Sequence, residues 1–399
     1  MASAAVVPAG KPNAQRPHAA NVYKPAGVKH IQTGTPWVNG GTTVVSSKVD
    51  LSLPSRGFRL VLAGRLVIGT AAMTSVNPEG LLNLLSSIKI SGVNSRQNGN
   101  VNLWDIDLAT LFTIQHLFAH RAASFFINGA SVTIPGSPFP AGYLTAATGT
   151  YDFRIVVDLP AHPFGVGPGV RPGFFLRAEE WADSLSVSYN FGAQLGAGAT
   201  GCLGVAAGTT TLVFTAFGSG AGTPTVDLYV LPVQLGHLQN QVVPGVCTRV
   251  QRPLTGVLQG AGNNATLLSL QKQRTSRIFV KTGTSTVNPA FATLDDTNLT
   301  AVGLQTGGSN RSVKPLEDVF AYKQNIPAEY NREPIQGYLC LDFLESGNPD
   351  SAFPAQSPKV VGGGSTFELV GNVVGEANGF GLAIQEQILH LHGGALYNY

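Results

Sequence analysis

Asp152-Phe153-Arg154-Ile155-Val156-Val157-Asp158-Leu159 places Phe153, Ile155, Val157 and Leu159 on one side of the chain and Asp152, Arg154, Val156 and Asp158 on the other. A period of two is that of a strand with one face in a core and the other toward solvent. The same alternation recurs at Ser184–Phe191, where Leu185, Val187, Tyr189 and Phe191 oppose Ser184, Ser186, Ser188 and Asn190. It recurs again at Arg59–Ile68, where Leu60, Leu62, Leu66 and Ile68 oppose Arg59, Val61, Arg65 and Val67. Further strands read at Thr211–Phe217 and Thr225–Val233, separated by Gly and Pro clusters.

The composition extends this pattern to the whole chain. Of 399 residues only 12% are charged, about half the share usual in a soluble globular protein, while 48 glycines and 25 prolines supply turns. Few Lys and Glu leave little material for long surface helices, so the chain is expected to be all-β. With 43% apolar residues it can bury one large core or two smaller ones. The most apolar stretch, Phe58 to Met73, is broken by Arg59 and Arg65 and cannot span a bilayer as a helix. No secretory pattern opens the sequence, which predicts synthesis and folding in a cytoplasm. The asparagines that start glycosylation tripeptides, Asn264, Asn298 and Asn310, are accordingly expected to be unmodified. Cys202, Cys247 and Cys340 are odd in number and widely spaced, and are expected as reduced thiols.

Charge is unevenly placed. Lys11, Arg16, Lys24, Lys29 and Lys48 all precede Asp50, the first acid, although the net charge of the whole chain is only +3. Residues 1–41 also hold Pro8, Pro12, Pro17, Pro25 and Pro36 with no apolar period, which predicts an extended basic arm that orders only on docking.

One helix is expected after Asp105 or Asp107, with Leu108, Leu111, Phe112 and Phe118 on one stripe and the helix covering the open end of a sheet pair. A region poor in alternation, 241–255, with Pro253, reads as a linker. Beyond it, strands read at Arg277–Lys281, Leu299–Leu304, Gly337–Glu345, Thr366–Val373 and Leu382–His392, with a second helix at Pro315–Gln324. The order of elements in the first half thus recurs in the second. The predicted architecture is two jelly-roll β-sandwiches in one chain, a double jelly roll with short accessory helices: the arm at 1–41, a first jelly roll at 42–240, the linker, a second jelly roll at 256–392 and a tail at 393–399.

Two stretches carry a resemblance: Val76-Asn77-Pro78-Glu79-Gly80-Leu81-Leu82-Asn83-Leu84-Leu85-Ser86-Ser87-Ile88-Lys89-Ile90, and the run from Pro315–Gln324 through Pro334-Ile335-Gln336-Gly337-Tyr338-Leu339-Cys340-Leu341-Asp342-Phe343 to the last strand. With the element order, the chain resembles the double jelly-roll major capsid proteins of tailless icosahedral phages, the lineage of tectiviruses and Finnlakevirus-type phages. That resemblance implies a homotrimeric, pseudo-hexagonal capsomer tiling an icosahedral virion shell, beside neighbouring capsomers and vertex and minor capsid proteins. It also implies an arm on the inner side, where Lys11, Arg16, Lys24, Lys29 and Lys48 would face internal membrane lipids or the packaged genome.

The residues offer little competing chemistry. His116 and His120 stand four apart, but no Glu follows His116 as a metal hydrolase would need. His390 and His392 share one strand face and lack a third ligand in view. The acids Glu179, Glu180, Asp183, Asp295, Asp296, Glu317 and Asp318 lie in short clusters whose strand neighbours point apart. There is no Gly-x-Ser-x-Gly, phosphate loop or dinucleotide fingerprint. No enzyme activity, metal or cofactor is therefore expected. The alternative from another class is a carbohydrate-binding or carbohydrate-active two-domain sandwich, with carboxylates and Trp104 or Trp181 lining a groove.

Overall fold

The computed structural model describes the residues of the strands and helix named next, together with Leu82, Asp107, Leu176 and Phe343. In chain order these are β1 (His30–Pro36), β2 (Val44–Val49), β3 (Ser55–Ile68), β4 (Met73–Val76), β5 (Leu85–Asn94), β6 (Gly99–Ile106), α1 (Leu108–Phe118), β7 (Ser124–Ile127), β8 (Ala130–Ser131), β9 (Gly149–Pro160), β10 (Leu185–Phe191), β11 (Gly204–Ala206), β12 (Leu212–Thr215) and β13 (Thr225–Gln234). There follow β14 (Val246–Leu254), β15 (Gly262–Leu268), β16 (Arg274–Gly283), β17 (Leu299–Thr306), β18 (Ser312–Asp318), β19 (Tyr338–Asp342), β20 (Phe353–Pro354), β21 (Phe367–Val373) and β22 (Gly381–His392).

Pairing sorts these strands into two sandwiches. The first has sheets β1-β13-β3-β9 (continuing to β7 and β8) and β2-β10-β5-β6; the second has β14-β22-β16-β19 and β15-β21-β17-β18. Numbering the eight principal strands of each sandwich along the chain gives sheet orders 1-8-3-6 and 2-7-4-5 both times. That is the jelly-roll order, and it occurs twice. All the ladders among the described residues are antiparallel.

Each sheet buries the face that the alternation predicts. Phe153, Ile155, Val157 and Leu159 on β9 and Leu60 and Leu62 on β3 are fully enclosed, as are Leu185 and Val187 on β10 across the sandwich. Trp104 on β6 meets Phe58 on β3 edge to face, with ring centroids 5.6 Å apart and planes at 86°, and so joins the two sheets. The second core holds Ile278, Val280, Leu304, Leu341 and Leu369.

Helix α1 contacts β5 of one sheet and β9 of the other, at the place expected for a cover over the sandwich. Asp107 starts it: the Thr110 amide donates to Asp107 Oδ2 at 2.8 Å, and the Leu111 amide to the Asp107 carbonyl at 3.0 Å. Every residue from Leu108 to Gln115 is buried, so α1 is enclosed on all sides rather than lying on the surface by one stripe. Gln115 is buried because it is needed. The β7 ladder on β9 stops at Val156, and Gln115 Oε1 accepts the Asp158 amide at 2.8 Å, which the ladder leaves over. Replacing Asp107 with Ala removes the cap and is expected to cost about 1 kcal/mol, read as a lower urea midpoint with unchanged slope.

Three expectations differ from the structure. Within the stretch read as an arm at 1–41, His30–Pro36 forms β1 and ladders onto β13, so the first sandwich opens at His30 rather than at residue 42. Within 241–255, read as a linker, β14 takes Val246–Leu254 and pairs with β22. Its Pro253 is tolerated because β14 is an edge strand. Within the expected helix at Pro315–Gln324, residues through Asp318 belong to β18. There a bulge between the Leu304–Lys314 and Val302–Glu317 pairs takes up Pro315 on an edge strand. The remainder of that helix lies outside the described residues.

Candidate functional site

The first sandwich turns toward solvent a face of β3 and β9 that pairs in register. Arg59 stands opposite Asp158, Val61 opposite Val156, Ala63 opposite Arg154 and Arg65 opposite Asp152. Arg59 Nε and Nη2 donate to the two Asp158 carboxylate oxygens at 2.7 and 3.3 Å, and Arg65 makes the same fork on Asp152 at 2.6 and 3.0 Å. Hydrogen bonding to the carboxylate is the main cause that raises each guanidinium above its ordinary pKa; for Arg59 partial burial pulls the other way. Both arginines stay cationic at any working pH. Water reaches both partners of each pair, so the pairs add little to stability. Their larger effect is on the surface: two neutralised rungs flank the half-buried Val61 and Val156.

The second sandwich repeats the rung between the equivalent strands. Arg277 on β16 stands opposite Asp342 on β19, and its Nε donates to Asp342 Oδ2 at 2.8 Å. Here the arginine is 0% exposed and the aspartate 21%. Neighbouring Phe279 and Cys340 are buried on the same strands, so this sheet is covered on both faces where the first sandwich leaves one half open. Cys340 is a buried thiol, as expected.

The sandwiches meet along an edge of each. β6, the last strand of the first sandwich's β2-β10-β5-β6 sheet, runs alongside β14, the first strand of the second sandwich's β14-β22-β16-β19 sheet. No ladder joins them among the described residues.

The residues singled out from sequence are dispersed. Lys48 lies on β2 opposite Ser186, whereas Lys11, Arg16, Lys24 and Lys29 lie outside the described residues. His116 sits half-buried in the last turn of α1, and His120 is outside. His390 and His392 stand on β22 opposite Thr248 and Val246. Glu317 and Asp318 close β18, while Glu179, Glu180, Asp183, Asp295, Asp296 and Trp181 are outside. Among the described residues no three His, Cys, Asp or Glu side chains gather as a metal site would require, and no helix is long and apolar enough to cross a membrane. Trp104 is fully buried against Phe58, so it cannot line a saccharide groove. The Arg–Asp rungs were absent from the sequence reading. Arg59, Arg65, Asp152 and Asp158 were all placed on strands, but only the pairing of β3 with β9 brings them together.

No family model and no curated protein matches the sequence. Solved structures do match. The chain is similar to the STIV MCP, with a TM-score of 0.53 and 15% identity over 91% of this chain and 95% of that one. It is similar to a chain of Sulfolobus Turreted Icosahedral Virus, with a TM-score of 0.53 and 13% identity over 91% and 89%. It is also similar to PBCV-1 VP54, fitted into a reconstruction of the virophage Sputnik, with a TM-score of 0.55 and 11% identity over 92% and 94%. At these identities the likeness lies in the fold: the double jelly roll seen in the strand order is shared along nearly the whole length of each chain.

Proposed function

We propose that the chain is a major capsid protein, three copies of which form a pseudo-hexagonal capsomer that tiles an icosahedral virion shell. The observation that carries this reading is the doubled jelly roll. Two sandwiches of one strand order in one chain suit a tile with two similar lateral units. The fold is shared end to end with structures of a virus MCP and of a virus particle. Low charge supports the mechanism: faces carrying few ions, several already paired, lose little hydration when tiles meet side by side.

The basic leader gives the tile an inner side. Lys11, Arg16, Lys24 and Lys29 precede β1 and would draw the arm toward an anionic interior, whether lipid headgroups or packaged genome, with neighbouring capsomers and vertex or minor proteins as lateral partners. Deleting residues 1–29 spares β1 and therefore the first ladder. The truncated protein is expected to remain a folded capsomer and to lose shell formation, as seen by negative-stain imaging of particles against free capsomers. Normal shells from the truncated chain would remove the arm from the mechanism.

A further inference from the structure

We infer that β22 is a latch. Its seating between β14 and β16 closes the second sandwich and, in the same step, ties that sandwich to the first, so a chain becomes a tile only once β22 is in place. The tile clause rests on the capsomer reading, whereas the latch itself rests on strand order.

Three features of that order carry the inference. Every first-sandwich ladder joins strands between His30 and Gln234, and every second-sandwich ladder joins strands between Val246 and His392. The first sandwich can therefore be complete while the second is still open. β14 is held in its own sandwich through one partner: Val246–Leu254 pairs with β22 in unbroken register, and no other described strand ladders onto it. Among the described residues, β14 is also the strand of the second sandwich that runs alongside the first, at β6.

The connection from the first sandwich to the second core is thus the series β6, β14, β22, β16, and β22 supplies both of its ladders. Without β22, β14 has no ladder partner and β16 keeps only β19 and the short β20. The backbone groups along β14 and β16 then lie open, and open edges recruit wrong partners. β14 is the first strand of its sandwich in the sequence and β22 the last. Their pairing closes the longest loop in that sandwich, so it forms late. A chain that associates only after this step keeps its unfinished state out of the shell.

Full-length Gln387→Pro tests the latch. Gln387 stands in register with Gln251 on β14 and Arg277 on β16, and proline removes a backbone donor from the interior of a central strand. Tryptophan emission follows the first sandwich alone, since Trp37, Trp104 and Trp181 all precede Gln234. Emission is expected to match wild type, while amides within Val246–Leu254 exchange at least about tenfold faster by mass spectrometry. By light scattering the variant is expected to lose the three-chain species. Loss of the native emission, β14 amides protected as in wild type, or undiminished association overturns the latch. A wild-type chain that is itself monomeric overturns the capsomer reading instead, and the exchange result still decides the latch.

Should the variant prove insoluble, hydrogen exchange of wild-type protein in rising urea reads the same device. β14 and β22 are expected to lose protection together, at a lower urea concentration than β3 and β9. Loss at one concentration for all four strands, or β14 protected after β22 has opened, would contradict it.

Discussion

Replacing Asp342 with Asn is expected to destabilise the second sandwich by about 3–5 kcal/mol, the usual cost of removing a counter-charge from an enclosed arginine. Arg277 is fully buried on β16, and its Nε donates to the Asp342 carboxylate across the ladder. The amide is nearly the same size, so the change removes charge and not volume. Its counterparts give the control. Asp158→Asn and Asp152→Asn break rungs of the same design where water reaches both partners and takes over solvation, and each is expected to cost far less than the buried rung. Urea titration of all three variants checks the contrast. A further double variant, Arg277→Met with Asp342→Leu, removes both charges from the buried rung and is expected to recover most of the loss. Equal losses at all three positions would mean that the second sandwich is not closed over Arg277.

The second large effect is expected at Trp104. The indole is enclosed between the sheets of the first sandwich and meets Phe58 edge to face. Truncation to Ala removes the largest enclosed side chain of that core and leaves a cavity, at a cost of about 3–5 kcal/mol. Trp104→Phe keeps an aromatic ring against Phe58 and should recover a good part of it. Denaturation midpoints order the three proteins as wild type, Phe, then Ala. This residue also separates the two functional classes raised by the sequence. A tryptophan platform for sugars would lose saccharide binding with little loss of stability, and a core tryptophan does the reverse.

The strands with clean alternation were legible because one face of each is core and the other is water. β9 and β10 were read to within a few residues of their bounds, and the first helix was found from the capping choice of Asp105 or Asp107 and its apolar stripe. β6 escaped notice for a physical reason: a bulge between the Ile90–Trp104 and Ser91–Asn102 pairs lets consecutive Leu103 and Trp104 both turn inward, which breaks the period of two. Edge strands were lost to proline. Pro36 in β1, Pro253 in β14 and Pro315 in β18 each read as a break or a helix start, yet an edge strand has a side without a ladder and can carry the missing donor.

The surfaces were less legible than the fold. Arg59 and Asp158 are 99 positions apart, and Arg277 and Asp342 are 65 apart. No local pattern states that such residues will face each other, since only the strand order brings them into register. The enclosure of Arg277 could not be read either, because the strand Arg277–Lys281 has the same alternation whether one sheet face is covered or two. What the sequence did carry was the bias toward few charges and the concentration of cations before Asp50.

The solution mass of the purified full-length chain, taken by light scattering with negative-stain images of the same peak, tests the central claim most directly. A capsomer predicts a species of about 125 kDa, three times the 41.6 kDa chain, with a hexagonal outline. A monodisperse 41.6 kDa monomer with no ring in the images would contradict it.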